Sequence, residues 1–267
     1  MTTSSSTTLL DPAEALPDLE IPSPLLATPR RQAALVVQER RGRPASAFVD
    51  VLLAHDLDVA VTVAHADSLP DPGASPLAIL VGSEPLSVAR ASGRLQVEVD
   101  WIGCADAAGA SVLGVGHGAR ALALAFGGDV TRAQRPLRGW AMVDTTVPHL
   151  VPTGPWLSWQ HDVISLPAAA EVLAHNLLGP QAFRLGRHLG VQFHPEATPE
   201  TVANWATSAA DRDDVGRLLS AVTRDEAAAA ASTWRLLSSF IDGIESGRGA
   251  LSGRMATAGR GWAAAPR

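Results

Sequence analysis

The sequence predicts a mixed α/β fold on a mostly parallel β-sheet, with antiparallel strands added late in the chain. Three observations predict it. Through the first half, short apolar runs alternate with segments of helical spacing, and that alternation suits parallel strands joined by crossovers. One apolar run ends in a glycine-rich turn that opens directly into a helix, over residues 111–128. In the second half the strand-like runs are separated by turns instead of helices, as antiparallel neighbours allow.

Each element follows from local pattern. Residues 1–30 are rich in Ser, Thr and Pro without a sustained period and read as a flexible lead-in. The folded domain is expected over 31–244. It opens with a buried-strand run at 33–38 (AALVVQ) and a helix over 45–55, where Phe48, Val51, Leu52 and Ala54 share a face. Strands follow at 59–63 and, after Pro76, at 77–81; a helix is expected over 94–108 and a fourth strand over 110–115. The helix after the glycine-rich turn stops at Gly127-Gly128.

Later strand candidates lie at 140–145, 156–164, 171–175, 181–185 and 190–193, and are expected to extend the sheet. Thr198-Pro199-Glu200 is a helix start, with a capping hydroxyl, proline at the first helical position and an early acid. A last helix over 226–244 includes the strong helix-forming run 227–231. It places Trp234, Leu237, Phe240, Ile241 and Ile244 on a core-facing stripe. Residues 245–267 are Gly, Ala and Arg without such a stripe and read as a flexible tail.

Composition narrows the chemistry. The 267 residues carry 21 basic side chains, all arginine, against 27 acids, for a net charge of −6. That balance argues against a nucleic-acid or anionic-membrane partner. Lysine and tyrosine are absent, so no Schiff-base lysine or P-loop lysine is available. One cysteine, Cys104, excludes an internal disulfide and fits a reducing cytoplasm, where the chain is expected to reside. No run approaches the ~20 apolar residues of a membrane helix, and the first residues lack the basic start of a secretory signal.

The most informative segment is SVLGVGHGARALALAFGG, residues 111–128. Strand, tight turn and helix in this order form a nucleophile elbow, which holds a reactive side chain at the top of a sheet. Here the apex residue is Gly116, which has no side chain.

Together with the distal Gly190-Val191-Gln192-Phe193-His194-Pro195-Glu196, this segment resembles the G-x-C-x-G-x-Q elbow and F-H-P-E motif of class I (triad-type) glutamine amidotransferases. The resemblance is nearest to stand-alone proteins related to the glutaminase domain of GMP synthetase. It takes in VPTGPWLSW (151–159), PQAFRLG (180–186) and Thr198-Pro199-Glu200, and spans roughly residues 35–244. It implies a three-layer, flavodoxin-like sheet.

The resemblance also implies roles. The cysteine nucleophile aligns with Gly116, and the oxyanion-donating residue after it with His117. The substrate-binding glutamine aligns with Arg120, the other oxyanion turn with Val81-Gly82-Ser83, and the triad histidine and acid with His194 and Glu196. The W-H-x-D pattern departs to Trp159-Gln160-His161-Asp162, with His161 and Asp162 expected in a loop near the site. The base and scaffold persist; the thiolate and a recognition residue do not. Cys104, in the helix before the elbow strand, is expected to be a small buried thiol and no substitute.

Three functions follow. In the leading one, a repurposed small-molecule enzyme uses His194, oriented by Glu196, as acid–base catalyst in a pocket of Gly116, His117, Gly82, Ser83, Arg120 and His161. Arg120 turns its ligand preference toward an anion. The second is a non-catalytic pseudoenzyme that binds a ligand or regulates a partner. The third is a glutaminase with an unusual nucleophile. Competing structural readings exist: an inherited H-P-E turn, a surface Arg120, and a solvated loop at Arg40-Arg41-Arg43. No cofactor or metal is expected, since a pair such as His161 and His194 lacks compact ligand spacing. A separate partner enzyme or a homo-oligomer is expected, with no nucleic acid and no membrane.

Overall fold

A computed structural model describes residues 34–38, 46–64, 69–205 and 212–251. The strands are β1 (Ala34–Gln38), β2 (Val59–Val63), β3 (Leu77–Gly82), β4 (Ser111–Gly116), β5 (Asp129–Ala141), β6 (Asp144–Thr145), β7 (Trp156–Ser165), β8 (Glu171–Asn176), β9 (Gly179–Leu185) and β10 (His188–Val191). The helices are α1 (Ser46–Ala54), α2 (Leu86–Ala91), α3 (Arg94–Ala107), α4 (His117–Ala125), α5 (Pro199–Trp205) and α6 (Arg212–Leu251).

Among the described residues, eight strands form one sheet in the order β2-β1-β3-β4-β10-β9-β8-β6. The half from β2 to β10 is parallel, and β9, β8 and β6 continue it antiparallel. Side chains alternate between two cores, as the two-residue strand period requires. Val36, Ile79 and Val115 face one core with Phe48 of α1 and Leu236, Leu237 and Ile241 of α6. Val37, Leu80 and Val112 face the other, with Ile102 of α3 and Leu122 of α4. Helix, sheet and helix make the three layers that the sequence resemblance implies.

Several expectations change in detail. The strand expected at 140–145 is two strands, and β5 and β7 leave the main sheet to form a ribbon of their own. Their partner is each other, with a register shift between Arg132 and Leu137. Helix α2 has no counterpart among the expected elements, being only six residues long. Helix α6 starts at Arg212 and runs on to Leu251, past the expected end at 244. Its apolar stripe holds at Leu237, Phe240 and Ile241, whereas Trp234 is 46% exposed and Leu236 takes the inward position. Ala54 of α1 is likewise exposed.

Cys104 is exposed on α3, not buried. His161 and Asp162 lie within β7 instead of a loop. The lead-in at 1–30, the arginine cluster at 40–43 and the tail beyond 251 lie outside the described residues. Among the described residues, no helix is long and apolar enough to cross a membrane.

Candidate functional site

Parallel pairing sets Gly82 beside Gly116, so the ends of β3 and β4 meet at one point. There the chain turns from β4 straight into α4. Gly116 adopts φ 57° and ψ −106°, a conformation that side-chain-bearing residues rarely adopt. The flanking glycines serve close packing. A β-carbon on Gly114 would meet the Gly118 carbonyl oxygen at 2.5 Å, and one on Gly118 would run into the Leu80 carbonyl oxygen. All three glycines of the turn therefore have a geometric reason.

The H-P-E segment reaches this point from β10. Phe193 stacks on Trp156 at 4.4 Å, and the His194 N–H donates to the Leu157 carbonyl at 2.8 Å. From α6, the Thr233 hydroxyl donates to the Pro195 carbonyl at 2.7 Å. So held, the His194 ring meets Glu196 through Nδ1 and Oε1 at 2.7 Å. Both residues are buried, and the His194 ring also packs on Trp205 of α5 at 4.7 Å. The carboxylate accepts from Nδ1–H, which in a neutral ring leaves Nε2 as a lone-pair acceptor. His194 Nε2 and Glu196 Oε2 have no hydrogen-bond partner among the described residues.

The space in front of that ring is closed. A β-carbon on Gly116 would lie 2.9 Å from His194 Nε2 and closer still to His194 Cε1 and the Gly82 carbonyl oxygen. The imidazole thus leans into the volume that a side chain at Gly116 would need. Glycine at this position leaves no room for a side chain; the His194 ring and the Gly82 carbonyl crowd it.

His117 and Arg120 turn inward from the first turns of α4, and both are 1% exposed. His117 Nε2 lies 2.5 Å from Glu98 Oε2 on α3. The other oxygen of Glu98 accepts from Arg94 Nε at 3.1 Å, and Arg94 Nη2 reaches Glu84 Oε2 at 2.8 Å. Arg120 Nη2 donates to the Glu84 carbonyl at 2.7 Å, and its Nε is 3.8 Å from Asp162 Oδ2. That Asp162 oxygen also accepts from the Leu86 N–H at the start of α2. Arg120 is therefore a buried, paired residue, not the surface arginine of the competing sequence reading.

His161 belongs to a third cluster. Its Nε2 accepts from Arg138 Nη2 at 3.1 Å, and the Arg138 guanidinium lies over the Trp159 ring at 4.9 Å. Burial and the Arg138 charge beside it hold the His161 imidazole below its ordinary pKa, with Arg132 adding to the effect and Asp162 opposing it. Trp159 packs on Trp205, which packs on His194, so ring contacts run from Arg138 of β5 through β7 and α5 to the His194 ring. Ser83 follows Gly82 and is half-buried. Among the described residues no group of three His, Cys, Asp or Glu is placed to hold a metal ion.

The structure thus brings Gly82, Gly116, His194 and Glu196 together and directs His117 and Arg120 into a charge network beneath them. Sequence reasoning missed Glu84, Arg94, Glu98, Arg138 and Trp205. The i,i+4 spacing of Arg94 and Glu98 was the available signal. It reads as an ordinary exposed helix pair until packing buries it.

The sequence profile of the class-I glutamine amidotransferases matches residues 52–205. The chain belongs to the class I glutamine amidotransferase family. A GMP synthase (glutamine-hydrolysing) of Thermomicrobium roseum is 38% identical to this family member over 95 residues. That stretch is 33% of the chain and only 18% of that relative's length. Among solved structures, a glutamine amidotransferase from Thermotoga maritima superposes with a TM-score of 0.65 at 20% identity, covering 79% of this chain and 99% of its own. One from Methylobacillus flagellatus gives 0.64 at 19% identity, covering 80% and 95%. A putative GMP synthase component from Thermoplasma acidophilum gives 0.58 at 18% identity, covering 83% and 98%. These structures share the amidotransferase fold with this chain.

Proposed function

We propose that this amidotransferase-family protein does not hydrolyse glutamine through a thiolate and works as a non-catalytic binding or regulatory module. One observation carries the reading: the buried His194 imidazole and the Gly82 carbonyl crowd the position that the β-carbon of a nucleophile on Gly116 would take. Acyl transfer needs an atom that attacks the amide and leaves as the acyl-enzyme breaks down. Glycine offers none, and the His194–Glu196 pair alone only moves protons.

The proton-transfer enzyme is disfavoured for a related reason. An acid–base enzyme needs its base within hydrogen-bond reach of substrate, and here the side chain of His194 has no exposed surface. That reading keeps one supporting observation, the unpartnered His194 Nε2 aimed at Gly116. A buried polar atom without a partner is rare and fits a site that receives a ligand atom after opening. The arginines around His161 favour an anion there.

The relative's name pairs synthesis with glutamine hydrolysis, so a separate synthase is the partner class this module would regulate; a second copy of the chain is the other. Incubation with glutamine should release no ammonia above the buffer background. A glutamine-like electrophile should leave the protein mass unchanged. Ammonia release that disappears in His194→Ala would overturn the proposal and establish a glutaminase with an unusual nucleophile. Loss of the cellular role in a folded His194→Ala variant would favour the proton-transfer enzyme instead.

A further inference from the structure

The strands that end at the elbow begin at a second feature. Ser111 opens β4 and His188 opens β10, and both line a cleft of about 580 Å³. Five strand steps separate Ser111 from Gly116, so the cleft lies roughly 16 Å from the elbow. Its volume falls within the roughly 300–1,000 Å³ typical of small-molecule sites.

Two chemistries face each other across it. On one side the end of β9 supplies Arg184 and the turn after it Arg187, both about half exposed, and among the described residues the cleft lining itself includes no acidic side chain. Arg184 holds Glu171 at 3.3 Å and Arg187 holds Asp106 at 3.6 Å, single contacts that leave the planar guanidiniums further donors. His188 is fixed between them and the sheet. Its Nδ1 accepts from the Val112 N–H and its Nε2 meets Asp106, both at 3.1 Å. On the other side α6 presents Phe240 and Ile244, with Leu150 and Leu189 nearby. Between them Gly243 and Gly247 leave open space: among the described residues, a β-carbon at either would meet nothing within 4 Å.

We propose that this cleft binds a small organic anion, its apolar body on the Phe240 and Ile244 face and its carboxylate or phosphate head on Arg184 and Arg187. A guanidinium matches such a head through paired N–H donors. In a chain of net charge −6, two arginines that keep donors beyond those meeting Glu171 and Asp106 give the cavity its anion-facing side. The cleft is independent of the elbow, and the proposal stands or falls apart from the glutaminase question.

Fluorescence titration of the full chain with anilinonaphthalene sulfonate, and with its uncharged parent phenylnaphthylamine, tests it. The sulfonate dye should bind saturably at one site. Replacing both Arg184 and Arg187 with alanine should weaken the sulfonate about tenfold, the loss expected for charge-assisted contacts, and leave the parent dye within about twofold. Gly243→Leu should abolish binding of both dyes while melting no lower, because leucine fills the cleft and is the better helix former. Displacement by octanoate or by octyl phosphate assigns the head group. No saturable binding, equal weakening of both dyes, an unaffected Gly243→Leu variant, or displacement by neither anion would each overturn the proposal.

Discussion

At Gly116 two constraints act on one backbone position. Its φ of 57° disfavours any side chain, and its α-carbon faces the His194 ring and the Gly82 carbonyl. A cysteine here would carry about 1–3 kcal/mol of backbone strain before it displaced the imidazole. We therefore expect Gly116→Cys to lower stability in urea titration and to release no ammonia from glutamine. Hydrolysis by that variant would show that His194 swings clear readily, and the elbow would then count as open. The same scale separates His117 from Arg120. Both sit on the first turns of α4, yet one is tied to Glu98 and the other to Glu84 and Asp162.

Between elements, the buried charges fasten α4 to its neighbours. Glu98 joins α3 to α4 by accepting from Arg94 and meeting His117. Its removal leaves a guanidinium and an imidazole buried without their shared carboxylate. Glu98→Ala should therefore destabilise the fold by roughly 3–5 kcal/mol, the cost of breaking a buried pair, measured by urea denaturation. Glu98→Gln, which keeps the shape and one acceptor, should cost less. Much of this scale was legible in the sequence. The strand–turn–helix at 111–125 stands out because its glycines and apolar run are contiguous. The ribbon of β5 and β7 was not legible, because strand-like residues do not say which sheet they join. Nor was the outward turn of Trp234, since the face a helix buries is set by what packs against it.

For the molecule as a whole, pH acts through rings held neutral inside it. Burial, with Arg138 close by, depresses His161, and burial depresses His188 against the opposing pull of Asp106. Both rings therefore take up a proton in the unfolded chain before they do in the folded one. Their contribution is complete above the ordinary histidine value of 6.5 and is lost as pH falls below it. The melting temperature should decline from about pH 7 to about pH 5, and His161→Gln should flatten part of that decline. An unchanged slope in that variant would mean that His161 titrates alike in both states.

The family, the three-layer α/β class and the absence of a side chain at the elbow apex were all written in the sequence. They depend on contiguous pattern and on residue identity, which need no coordinates to be read. Whether the missing side chain left a pocket was a question for packing. Its answer rests on where His194, seventy-eight positions downstream of Gly116 by number, comes to lie. It rests also on Glu98 and Asp162, which other elements carry to His117 and Arg120 beside the glycine turn. Volumes and charge pairings between distant segments arise only when the chain is folded, and no local pattern encodes them.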